Sequence, residues 1–366
     1  MNIDIGIIGL PQSGRTTLFS ALTHGQVESR ASASGKEAVH VGMAKIPEPR
    51  LQQLAELLQP RKIVPASIRY VEIASSVKDL ASGIGGPLLN QLGAVDALIN
   101  VVRSFHDDRI PHASGSLDID RDIANMNLEL VFSDLVLLER RVRRIEDSVK
   151  GAKQAERVAF NREMELVSHI KASLEKDVPV REVSLTPEEA KTISGFQLLS
   201  AKPLLIVVNI GEDEISNSQS IENGLNSRYG RQKCKAVTFC AKLEAELAQL
   251  PDDEARELRS EYGMKESGIH RVIKESFGLM GLITFFTIAS SEVRAWPIME
   301  GTEAAKAAGK IHTDMERGFI RAEVVSHTDL LKCKNLAEAK KRGILRLEGH
   351  SYIVQDGDVI TFLFNV

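Results

Sequence analysis

Near the start of the chain, Gly9-Leu10-Pro11-Gln12-Ser13-Gly14-Arg15-Thr16 has the spacing of a phosphate loop: a glycine, four residues, a second glycine, a cation and a hydroxyl. The chemistry needs that order. Backbone N–H groups of such a loop and of the helix it opens cradle phosphate oxygens, and glycines let the backbone approach them. The hydroxyl of Thr16 is placed to ligate Mg²⁺. Arg15 stands where the pattern has lysine, keeping the charge as a planar fork instead of a compact ammonium. Gly9, Pro11, Gln12, Ser13, Gly14, Arg15, Thr16 and Thr17 are therefore the candidate phosphate-binding residues.

The elements around the motif are the ones it requires. An isoleucine-rich run over 2–8 reads as a strand, and 17–22 reads as a helix. Further apolar runs at 68–73, 94–102, 204–208 and 236–240 imply a mostly parallel α/β sheet. Between the runs at 94–102 and 204–208 lies helical sequence. Val131, Leu135, Leu138, Val142, Ile145 and Val149 alternate spacings of four and three, the seam of a coiled coil. Gly151 offers a turn, and Phe160, Met164, Val167, Ile170 and Leu174 mark a second helix that Pro179 ends. Two such helices predict an antiparallel hairpin inserted into the α/β domain. Arg140, Arg141, Arg143 and Arg144 are either a solvated face balanced by Glu139, Glu146 and Asp147, or a contact for RNA phosphates. From about residue 281 short strands and helices mix, with a turn at Asp356-Gly357-Asp358. The expected domains are 1–127 with 196–280, an insertion over 128–195, and an α+β domain over 281–366.

Composition agrees with a soluble globular protein. Of 366 residues 43% are hydrophobic, and 46 basic against 50 acidic residues give a net charge of −4. No apolar run approaches the ~20 residues that span a bilayer, and the N-terminus lacks the features of a signal peptide. Cys234, Cys240 and Cys333 have no paired spacing, so neither a disulfide framework nor a zinc site is indicated. A reduced, cytoplasmic protein without a membrane partner is expected.

The phosphate loop, Asn209-Ile210-Gly211-Glu212 and the C-terminal stretch together resemble the Obg-like ATPase (YchF) family of translation-factor-class P-loop proteins. The tail carries most of it, in Glu292-Val293-Arg294-Ala295-Trp296, Gly309-Lys310-Ile311-His312-Thr313-Asp314, Gly318-Phe319-Ile320-Arg321-Ala322-Glu323 and Val354-Gln355-Asp356-Gly357-Asp358. Val101-Val102-Arg103-Ser104-Phe105 and His112-Ala113-Ser114-Gly115 agree as well. The resemblance implies a P-loop G domain split by a helical coiled-coil hairpin, then a ubiquitin-like β-grasp TGS domain. It implies Mg²⁺ with ATP or GTP as cofactor, and the ribosome or its RNA as partner through hairpin and TGS domain. A monomer is expected. Asn209 and Glu212 would read the base, since glutamate in place of the usual aspartate weakens strict guanine selectivity; a plain strand-end turn is the other reading of Asn209. Cys240, Ala241 and Lys242 would pack on the base, Cys240 replacing a serine. His112 matches a histidine suggested to help hydrolysis in the family; a loop histidine with no catalytic duty is the other reading.

Departures from the family pattern gather around the γ-phosphate. Glu72-Ile73-Ala74-Ser75 stands for Asp-x-x-Gly, so Glu72 would orient Mg²⁺ or its water alongside Thr16, while Ser75 replaces the glycine that senses γ-phosphate. Ser76 replaces the following apolar residue, and Arg30-Ala31-Ser32-Ala33-Ser34-Gly35-Lys36 replaces the first switch without an aligned threonine. Positioning supplies most of the catalysis in phosphoryl transfer, so these changes predict slow turnover. Two functions stay open: a slow ATPase or GTPase whose nucleotide state controls ribosome docking, and a catalytically impaired pseudo-NTPase scaffold that binds RNA or the ribosome.

Overall fold

The computed structural model describes residues 3–25, 27–31, 38–73, 86–112, 114–231, 233–289 and 291–365. Ser75 and Ser76, residues 32–36 of the altered first switch, and Ala113 lie outside them. The chain forms two units, one of residues 3–43 with 69–272 and one of 1–2 with 44–68 and 273–366.

In the first unit β1 (Ile3–Gly9) leads into α1 (Arg15–Leu22), and β2 (Val27–Ala31) pairs with β3 (Ala38–Lys45) as an antiparallel ribbon. The chain then leaves for the second unit through α2 (Pro49–Leu58) and β4 (Lys62–Val64), and returns along β5 (Ser67–Ile73). After α3 (Gly86–Ala94) comes β6 (Ala97–Arg103), and later β7 (Leu204–Asn209) and β8 (Cys234–Phe239). The seven strands are ordered β2-β3-β5-β1-β6-β7-β8. β1, β6, β7 and β8 pair in parallel. Every residue of β6 and β7 is buried, as expected for strands covered on both faces.

Between β6 and β7 stand α4 (Ile119–Gly151) and α5 (Gln154–Leu174), joined by two residues. The contacts Arg141–Glu163 and Lys171–Glu139 run in opposite chain directions, so the helices are antiparallel. Val131, Leu138 and Ile145 of α4 bury against Leu166, Val167, Ile170 and Leu174 of α5, removing apolar surface from water along the whole seam. The expected boundary at 127/128 falls inside α4. Asp118 caps the helix through the Arg121 N–H, and Ile123, Met126 and Leu130 continue the apolar stripe into the core beside the sheet. One 33-residue helix thus belongs to both cores. Farther along it, Asp134 accepts the N–H groups of Leu199 and Ser200, each at 2.8 Å, and burial pushes its carboxyl up to about 6. The remaining helices of this unit are α6 (Pro187–Ser194), α7 (Ser218–Tyr229), α8 (Ala241–Leu247) and α9 (Asp252–Glu261), and α10 (Gly268–Leu279) leads into the second unit.

The second unit carries β9 (Leu282–Ala289), β10 (Glu292–Met299), α11 (Ala304–Ile311), α12 (Thr313–Arg317), β11 (Phe319–Ser326), α13 (His327–Cys333), α14 (Leu336–Lys341), β12 (Arg346–Glu348) and β13 (Asp358–Phe364). Its sheet runs β12-β11-β13-β9-β10-β4. Residues 44–68, expected with the N-terminal domain, pack here instead. β4 lies parallel to β10, and α2 buries Leu51, Leu54 and Ala55. Arg50 of α2 donates to Asp356 at 2.7 Å and to Glu48, and lies over the Phe286 ring. Those carboxylates hold its guanidinium above its usual pKa.

Candidate functional site

The carboxyl ends of β1, β6, β7 and β8 converge on one cleft of about 1080 Å³, the place where open parallel sheets bind ligands. β1 delivers the phosphate-loop sequence. At its end Gly9 passes so close to β6 that an added Cβ would meet the Val101 carbonyl oxygen at 2.5 Å. Gln12 takes a left-handed backbone with φ of 62°, uncommon for a residue with a side chain. Gly14 caps α1 with φ of 96° and no side-chain hydrogen bond, and no acidic residue occupies the first turn. The N-terminus of α1 thus opens at the cleft with no acidic residue in its first turn, a setting that suits an anion. Gln12, Gly14, Arg15, Thr16 and Thr17 line the cleft. Burial lowers the pKa of the Arg15 guanidinium, and Glu72 opposes that shift.

Asn209, at the end of β7, ties the site together. Its Nδ2 donates to the Ser13 carbonyl at 3.1 Å, and its Oδ1 accepts the Ala241 N–H at 3.0 Å. One buried amide thus joins the phosphate loop to the start of α8. Glu212 lies just beyond, where Lys242 reaches it at 3.1 Å; that contact raises the lysine pKa. Asn209, Glu212, Ala241 and Lys242 all line the cleft. Cys240 caps α8 from a buried position, and burial pushes its thiol pKa up.

Thr16 and Glu72 meet. The Thr16 hydroxyl donates to Glu72 Oε1 at 2.5 Å, and Glu72 is only 2% exposed. His112 is placed elsewhere. Its Nδ1 accepts the Ser114 N–H, and its Nε2 lies 2.9 Å from Asp122 Oδ2 at the first turn of α4. With Pro11, Ser13, Asn100 and Arg103, these two residues line a small void behind the phosphate loop rather than the cleft.

Two features carried no assignment from sequence. The cleft wall opposite the phosphate loop is the stretch from Phe105 to Ile110. Arg103, buried at the end of β6, shapes it by donating to the carbonyls of Phe105 and Ile110 while stacking on the Phe105 ring. The cluster His106-Asp107-Asp108-Arg109 directly after a strand was the available signal. The second feature is His40 of β3, whose Nδ1 lies 2.9 Å from Glu72 Oε2.

The chain is 41% identical over 370 residues to a Bacillus subtilis protein named "Ribosome-binding ATPase YchF", with 100% of each covered. The chain belongs to the YchF family. A relative of the same name from Escherichia coli O157:H7 is 37% identical over 368 residues, again with 100% of both chains covered. The solved structure of the Schizosaccharomyces pombe YchF GTPase is similar with a TM-score of 0.82 at 26% identity, covering 99% of this chain and 98% of that one. The family model YchF-GTPase_C, described as "Protein of unknown function (DUF933)", matches residues 282–365. The first unit has the P-loop GTPase fold of this family. Among the described residues no helix is long and apolar enough to cross a membrane.

Proposed function

We propose that this YchF-family chain is a cytoplasmic, ribosome-associated protein that binds ATP, or GTP, with Mg²⁺ in the cleft and hydrolyses it slowly. The observation that carries the reading is the glycine-bounded loop opening α1 at a cleft that Asn209, Glu212, Ala241 and Lys242 also line. Relatives that match the whole chain are named ribosome-binding ATPases.

In this reading Gly14, Arg15 and Thr16 receive the phosphates, and Glu212 and Lys242 border the base. The donor set suits Mg²⁺, a hard cation that takes oxygen ligands, because the hydroxyl of Thr16 and the carboxylate of Glu72 already touch. Thr16 and Glu72 would hold the ion, which when bound would supply positive charge against the phosphates. His112 would orient the attacking water only after leaving Asp122, which fits slow turnover. The helices over 128–195 and the TGS-type unit over 281–366 would supply the ribosomal contacts.

Calorimetry and thermal melts test the nucleotide site. ATP with Mg²⁺ should raise the melting temperature, since a ligand that binds only the folded state stabilises it by mass action. Arg15→Lys should raise affinity more than turnover, because Glu72 and Ser75 remain. No binding at millimolar ATP by either protein would leave the scaffold function standing.

A further inference from the structure

We propose that His40 is a positioning residue for the metal-site carboxylate, holding Glu72 so that one of its oxygens is presented beside Thr16. The inference deepens the nucleotide-site reading above and rests on it. Both oxygens of Glu72 are committed in different directions. Oε1 accepts the Thr16 hydroxyl at 2.5 Å, and Oε2 lies 2.9 Å from His40 Nδ1. An ionised carboxylate only accepts hydrogen bonds, so the His40 nitrogen facing it carries the proton.

Glutamate at this position has one more rotatable bond than the aspartate usual in such sites. Left alone it could turn either oxygen, or neither, toward the threonine. His40 removes that freedom by engaging the other oxygen. It comes from β3, the neighbour of β5 that carries Glu72, and its own ring is set against Phe19 of α1 with centroids 6.2 Å apart. The imidazole thus has Phe19 beside it and the Glu72 carboxylate as its partner. This is the relation that outer-shell partners have to metal ligands generally, where their loss costs about tenfold or more in metal affinity. His40 is not among the residues that line the cleft, so its effect passes through Glu72.

The test measures ATP affinity by calorimetry on the full chain, once with Mg²⁺ and once with a chelator, and takes the ratio. His40→Ala should shrink that ratio about tenfold and leave the chelator affinity where it was. His40→Asn, whose carboxamide can still donate to Oε2, should recover most of it. Thermal melts confirm that each variant is folded. A ratio unchanged in His40→Ala overturns the inference, as does an equal loss with and without Mg²⁺, the sign of a merely structural role. If the wild type binds ATP with no gain from Mg²⁺, the metal-site reading of Thr16 and Glu72 fails and the role of His40 fails with it.

Discussion

Gly14→Ala is expected to weaken nucleotide binding by about two orders of magnitude. The residue sits at φ of 96°, and an added Cβ would meet Asn209 Nδ2 at 2.3 Å. A left-handed backbone costs a residue with Cβ about 1–2 kcal/mol. Relieving the contact means moving Asn209, which loosens its bonds to Ser13 and Ala241, each worth about 1 kcal/mol. The sum, about 3 kcal/mol, corresponds to roughly 100-fold in affinity for ATP–Mg²⁺. The melting temperature should fall by roughly 5–10 °C. Asn209→Ala isolates the second part, because it cuts both bonds without straining Gly14, and should lose about 30-fold on the same scale. Wild-type affinity in Gly14→Ala, measured by calorimetry, would move the phosphate site away from this loop.

The phosphate loop and the helix pair were legible because their signals are local. A glycine-bounded loop after an isoleucine-rich strand, and a four-three apolar alternation, are written within a few turns of chain. The start of α4 was harder to place. Ile123, Met126 and Leu130 keep the helical period, but they pack beside the sheet and not on α5, and sequence spacing cannot say which partner a stripe will meet. Residues 44–68 were misplaced for a related reason. Glu48-Pro49 announces a helix start, yet its Arg50 finds Asp356 across 306 positions of chain. His40 is a single histidine in a strand, and only the β3-β5 neighbourhood gives it Glu72. The role expected of His112 came from resemblance, whereas its partner Asp122 is a product of how β6 and α4 are joined.

Charge reversal at Arg140 and Arg144 should weaken ribosome association more than any other surface change in the helix pair. Both are exposed on α4, four residues apart and hence on one face. Neither forms an ion pair among the described residues. Arg141 differs: it is bound to Glu163 at 2.5 Å and lies over the Phe196 ring, so its charge is already spent inside the pair of helices. α4 extends for about 50 Å at ~1.5 Å per residue, and its first turns are anchored in the core beside the sheet, so a load on the far half is transmitted by a continuous helix. A charge pair at ~4 Å in water is worth about 1 kcal/mol, and reversal replaces attraction by repulsion of similar size. Two such changes, after screening, predict about 100-fold weaker binding to ribosomes at low salt. The slope of log affinity against log salt should fall by about 2, one for each lost phosphate contact. Arg141→Ala is the control, expected to lower the melting temperature while leaving the slope intact. Co-sedimentation of the double reversal equal to wild type at every salt concentration would place the ribosomal contact off this face.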